Sequence, residues 1–98
     1  MNTILNKISD IIDDYQSGAY KDLFEMQREL ACQIFYLTQK QVEYNMEWNN
    51  EYHNHKSGVN AVKQRHADKE VPELYMCRKI ITAATNVSIA MSLELKLN

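Results

Sequence analysis

Between residues 3 and 15, Ile4, Leu5, Ile8, Ile11, Ile12 and Tyr15 fall at spacings of one, three and four, which draws one continuous apolar stripe along an α-helix. Thr3 can cap the start of this helix and Ser17-Gly18 can end it. An amphipathic helix of this length needs another surface to lie on.

From Ala19 to about Lys56 the chain has neither Gly nor Pro. Leu23, Leu30, Leu37 and Tyr44 recur every seven residues, beside an interleaved series of Ile34, Gln41 and Trp48. Such spacing makes the seam of a coiled coil or helical hairpin, interrupted at Gln41. An unbroken helix over this stretch would be about 55 Å long at 1.5 Å per residue. A compact chain of this size has a radius of gyration of only about 13 Å, so the pattern predicts an elongated molecule or one that packs against a second copy.

Lys56-Ser57-Gly58-Val59-Asn60 is the strongest turn signal, with Gly58 free to take the left-handed conformation that closes a helix. The chain is expected to reverse there. Residues 60 to 69 offer only Ala61, Val62 and Ala67 for burial, which predicts a weak or solvated helix. Pro72, the sole proline, suits the first turn of a new helix with Glu73 beside it.

The last segment supports two readings. From Val87 to Leu97 the apolar residues occupy the odd positions, the period of a half-buried strand, but no second alternating run offers it a partner. A helix from Pro72 instead aligns Leu74, Cys77, Ile81, Ala84, Val87 or Ser88, Met91 and Leu95 on one face, and leaves Ile89, Leu93 and Leu97 on another. The helical reading is preferred. Two apolar sides then imply burial between subunits or against another protein, with Leu23, Leu30, Ile34, Leu37, Tyr44, Ile81, Val87, Met91 and Leu95 as the expected oligomer interface. The fold class that follows is all-α: one domain over residues 1 to 98, a long hairpin or coiled-coil-like bundle with a short N-terminal helix, oligomeric, and its last ten residues open to a strand.

Composition agrees with helices: of 98 residues only two are Gly and one is Pro, too few for the tight turns of an all-β chain. Cys32 and Cys77 have no paired spacing and are expected to be reduced, buried, structural thiols. Met1-Asn2-Thr3-Ile4 lacks the pattern of a secretory signal and no 18 apolar residues run together, so the expected location is the cytoplasm, with no membrane segment. The net charge is −2, unevenly spread. Residues 53 to 69 carry Lys56, Lys63, Arg65 and Lys69 against Asp68, together with His53, His55 and His66. A basic segment on an acidic chain can face a polyanion.

The chemistry on offer is that of binding. The two glycines lie forty residues apart and cannot cradle a phosphate. The two cysteines lie on apolar stripes, and Asp13-Asp14 lies on an exposed helix face, so no nucleophile or acid-base pair stands out. His53, His55 and His66 do not share one helix face and have no Cys nearby, which leaves no expected metal or other cofactor. Tyr36, Tyr44, Trp48 and Tyr52, at spacings of eight, four and four, form an aromatic series that ends where the basic segment begins. Rings of this kind pack in cores, and they also stack on the bases of single strands while nearby cations hold phosphates.

The Lys56-Ser57-Gly58 turn, with the Ala67-Asp68-Lys69-Glu70-Val71 run, resembles the recombination mediator proteins of T4-like bacteriophages, known as UvsY, over about residues 40 to 97. The resemblance implies a ring-like homo-oligomer in the host cytoplasm that binds single-stranded DNA and helps load a recombinase. The family carries a Lys and an Arg before its Ser-Gly turn where this chain has Asn50 and Tyr52. DNA contact is therefore expected from Lys56, Lys63, Arg65 and Lys69, with Trp48 and Tyr52 as stacking rings. The alternative is a helical adaptor or inhibitor, also phage-type, that docks on a host or phage enzyme without nucleic acid. Its acidic helix faces at Asp10, Asp13, Asp14, Asp22, Glu25 and Glu29 would suit a basic site on that enzyme.

Overall fold

A computed structural model describes residues 1–97. It contains four helices: α1 (Asn2–Ser17), α2 (Leu23–Asn54), α3 (Asn60–Glu70) and α4 (Pro72–Leu97). The first begins a residue before Thr3, with Met1 rather than Thr3 at its cap. It ends at Gly18, whose φ of 76° is left-handed. This geometry lets the Gly18 and Ala19 amides donate to the carbonyls of Tyr15 and Asp14, closing the last turn.

The long helix starts at Leu23 because Asp22 stands before it in extended conformation and accepts a hydrogen bond from the Glu25 amide at 3.2 Å. It ends at Asn54. His55 is extended, and the link to α3 is held by Ser57 N–H donating to His55 Nδ1 and Val59 N–H donating to Ser57 Oγ, both at 3.1 Å. Gly58 does not take the left-handed conformation expected of it, since Gly18 is the only residue with positive φ among those described. Side chains of the turn do the work assigned to the glycine. Pro72 opens α4 as expected.

Helix α4 returns antiparallel to α2. Tyr20, just before α2, donates to Glu94 at 3.3 Å. Gln27 donates to the Ser88 carbonyl and to the Ser92 hydroxyl, and Arg78 reaches Asn45 at 3.4 Å. Between these ties, Leu23, Leu30 and Leu37 on one helix and Cys77, Ala84 and Met91 on the other form the buried cluster, both series at seven-residue spacing. That is the two-helix seam of an antiparallel coiled coil. Helix α1 covers one flank of the hairpin, with Ile8 fully inserted and Ile4, Leu5, Ile11 and Ile12 packed around it. Its start reaches Cys77, whose thiol lies 3.4 Å from the Met1 sulfur. Helix α3 seals the far end of α2 through Ala67, and Val71 and Leu74 are buried just beyond it.

The radius of gyration is 17.1 Å and the extents are 57 × 23 × 19 Å. The expected elongation is present, and one chain supplies the packing that the long helix needs. Leu23, Leu30, Leu37 and Met91, assigned from sequence to contacts between copies, are buried within the single chain. Ile34, Tyr44, Ile81, Val87 and Leu95 are half-buried against them. Cys77 is buried as expected, and burial, with the neighbouring Glu73, pushes its thiol pKa up. Cys32 is exposed, contrary to the sequence reading. Two positions beyond Leu30, it points about 200° away from the seam on a helix. By length and composition alone α4 could also cross a membrane, with a window of mean hydropathy 1.2, a test that the core helix of a soluble protein passes equally.

Candidate functional site

Two surfaces merit comparison. The first is the aromatic and basic end where α2 meets α3. Trp48 and Tyr52, one helical turn apart, stack on each other with ring centres 5.3 Å apart and planes 13° from parallel. The indole N–H of Trp48 donates to Asp68 at 2.8 Å. Lys63 places its ammonium 5.6 Å from the centre of the Tyr52 ring, and His53 sets an edge against that ring. His66 meets the Glu51 carboxylate at 2.8 Å and lies 4.6 Å, ring to ring, from His55. Each of these pairs joins α2 or its exit turn to α3, except the Trp48, Tyr52 and His53 contacts within α2 itself.

The structure thus brings Trp48, Tyr52 and Lys63 together, but for one another. One face of each large ring is already covered, the indole donor is used, and the Lys63 cation is drawn over a ring instead of out to solvent. Such contacts fasten a helix that has little apolar surface of its own. Lys56, Arg65 and Lys69 remain exposed, and the last two share a face of α3 at i and i+4. The carboxylates of Glu51 and Asp68 sit among them. Among the described residues, no group of three or more His, Cys, Asp or Glu side chains is placed to hold a metal ion. Tyr36, counted in the aromatic series, is exposed on the opposite side of α2 from the seam. Its hydroxyl pKa is raised by a hydrogen bond with Cys32.

The second surface was not singled out from sequence. Phe24, Phe35 and Val42 on α2 and Ile89 on α4 are large apolar side chains left exposed, whereas the equally exposed Met46 and Leu93, two positions beyond Tyr44 and Met91, point outward from the hairpin. Phe24, Ala31, Thr38 and Asn45 recur every seven residues, and so do Arg28, Phe35 and Val42. The first series lies about 100° and the second about 140° round the helix from the leucine seam. On α4 the matching flank carries Arg78, Thr82, Thr85 and Ile89. Because Gln27 faces Ser88 and Asn45 faces Arg78, the two flanks border the same side of the hairpin. Helix α1 lies on the other side, where Leu5, Ile8 and Ile12 meet Ile80 and Ala83 around an open groove of about 670 Å³. On the Phe35 side α3 reaches only the far end, where Gln64 and Asp68 lie beside Asn45 and Arg78. The available signal was a second heptad pair on α2, one position behind the core pair and free of charge except at Arg28. Comparison with protein-family models, with characterised proteins and with solved structures returns no match, so the geometry of these two surfaces carries the functional reading.

Proposed function

We propose that this chain is a non-catalytic binding module, whose α2–α4 hairpin presents its uncovered side to a macromolecular partner. The observation that supports this reading is the row of exposed apolar side chains there. Phe35 is 59%, Val42 57% and Ile89 54% exposed, on a chain whose own helices fill the opposite flank. Contiguous apolar surface of this kind marks interaction sites. The reading is of the adaptor class, acting by occupancy and not by a reaction.

The test is site-specific photo-crosslinking from position 35, in the cells that naturally make the protein, with position 16 on the exposed side of α1 as control. An adduct from position 35 and none from position 16 is expected. Absence of any adduct from position 35, to protein, nucleic acid or a second copy, would sink the proposal.

A mediator-like reading, in which the protein self-associates, binds single-stranded DNA and serves a recombinase, draws support from the exposed cations Lys56, Arg65 and Lys69. It assigns phosphate contact to those three and base stacking to the outer faces of Trp48 and Tyr52. Anisotropy of a labelled single-stranded oligonucleotide across salt concentrations tests it. Binding that weakens steeply with salt, and whose slope falls when Arg65 and Lys69 become Ala, supports it. No binding at low salt removes it.

A further inference from the structure

We propose that His55 and His66 form a pH-sensitive latch between α2 and α3, closed while both rings are neutral and released as they take up protons. The inference goes beyond the binding-module reading and does not depend on it. All three histidines of the chain lie between residues 53 and 66, which confines the device to this end of the molecule.

The partners of the two rings fix where their protons sit. A backbone N–H only donates, so Ser57 N–H at 3.1 Å needs a lone pair on His55 Nδ1 and leaves the ring proton on Nε2. A carboxylate only accepts, so His66 carries its proton on the Nε2 that meets Glu51 at 2.8 Å. The ring centres are 4.6 Å apart. A further proton on His55 has one place to go, Nδ1, where it would point at the Ser57 N–H.

That bond is the first of a short series that starts α3. Ser57 Oγ accepts from Val59 N–H at 3.1 Å, and the Val59 carbonyl accepts from the Val62 and Lys63 amides. Val59 brings no side-chain cap of its own, and Gly58 does not close the turn with a positive φ. Within α3 only Ala67 is buried. A helix with so little apolar contact opens at low cost once its polar ties are lost.

The charges around the rings decide the direction. On α2, Glu51 meets His66 and Glu47 lies one turn before Glu51, while His53 sets its edge against Tyr52. In the link, Lys56 follows His55. On α3, Lys63, Lys69 and Glu70 lie one turn from His66, and Arg65 turns about 100° away from it. On α4, Glu73 acts on Tyr44, two turns back along α2 from Glu51, and Arg78 lies with Asp68 beside Trp48. Helix α1 does not pack against α3. Lys56, Lys63 and Lys69 thus balance Glu47, Glu51 and Glu70 while the rings are neutral, and each proton gained adds positive charge. Protonated His66 is attracted by Glu51, but these side chains are 31% and 44% exposed, and such a pair contributes little. Protonated His55 loses its hydrogen bond and meets a second cation one ring away. The loss at His55 outweighs the gain at His66, and α3 is released. Release uncovers the Trp48 and Tyr52 rings, while the α2–α4 seam, which holds no histidine, stays closed.

The test uses the full chain at about pH 7.5 and about pH 5.5, within the range where imidazole changes charge and above the usual carboxylate range. Hydrogen exchange, corrected for its intrinsic dependence on pH, should show α3 protection lower by about tenfold at the acid pH, with α2 around Leu30 unchanged. Emission of Trp48, the one tryptophan, should shift to the red in step. His55→Asn puts a side-chain oxygen in place of Nδ1 and takes no proton; it should keep the protection seen at neutral pH and lose most of the response. His66→Gln keeps an N–H for Glu51 and should show a smaller response, and His53→Gln a full one. Nitrogen chemical shifts of the imidazole rings at neutral pH should place the His55 proton on Nε2, whatever the variants do. A proton on Nδ1 there, protection equal at the two pH values, an undiminished response in His55→Asn, or loss spread equally into the α2–α4 seam would overturn the inference.

Discussion

Replacing Leu37 with Ala removes the side chain at the centre of the seam. Leu37 is fully buried, halfway between the Gln27 and Asn45 ties that fix the register of α2 on α4. Deleting a fully buried leucine costs about 2 to 5 kcal/mol, the lost transfer energy plus a cavity term, and the stiff two-helix seam favours a value near 3. For 98 residues, an unfolding entropy of about 2.1 cal/mol/K per residue turns 3 kcal/mol into a fall of about 15 °C in melting temperature. Total stability in this size range is about 5 to 15 kcal/mol, so the variant should remain folded in the cold. Far-UV circular dichroism through a urea titration and a thermal melt gives both numbers. Phe35→Ala is the paired control and should change stability by less than about 0.5 kcal/mol, as exposed substitutions do. Because one chain buries Leu37, the loss should be the same at low and high protein concentration. A loss that varies with concentration, or one below about 1 kcal/mol, would place Leu37 against a second copy and refute the intrachain seam.

Three further outcomes follow from the same contacts. Asp22→Ala should cost about 1 kcal/mol by leaving the Glu25 amide unpaired, read from the urea midpoint. Cys77 has a raised thiol pKa in the folded state, first through burial and then through Glu73, so its contribution is fully present below the unfolded thiol pKa and is lost as pH climbs through the folded one. The stability gap between wild type and Cys77→Ala should therefore narrow between pH 7 and pH 10, and a constant gap would contradict that assignment. Trp48→Ala removes a stacked ring and the donor to Asp68; hydrogen exchange of α3 amides should quicken far more than that of α2 around Leu30, and equal change in both would show that the cluster does not hold α3.

Much of the fold was legible in the sequence because one physical signal dominates it. The seven-residue recurrence of Leu23, Leu30 and Leu37, the scarcity of Gly and Pro, and Pro72 at a helix start led to four helices close to those observed. The α4 face from Leu74 to Leu95 was also read correctly. What failed was local or depended on counting further round the helix. Asp22 was overlooked as a cap because the glycine-free stretch was read as starting at Ala19. Gly58 was credited with a left-handed turn that the Ser57 and His55 side chains make unnecessary. Cys32 was placed inside by type, although its offset from Leu30 already turned it outward.

The site was less legible for the same reason. Trp48, Tyr52 and Lys63 drew attention as a nucleic-acid surface by type and proximity in the chain, and sequence gave no sign that they would satisfy one another. The Phe24, Phe35 and Val42 series is visible in the letters. Its meaning depends on knowing that α1 takes one flank of the hairpin and leaves the other, which only the three-dimensional arrangement supplies.

The most direct test of the account is a two-dimensional NMR map of the labelled full chain during titration with the partner captured by crosslinking from position 35. The account predicts shifts concentrated at Phe24, Ala31, Phe35, Val42 and Ile89, with α1 and the Trp48 to Lys69 end unmoved. Shifts centred instead on Lys56, Arg65 and Lys69, or on the groove between α1 and α4, would contradict it.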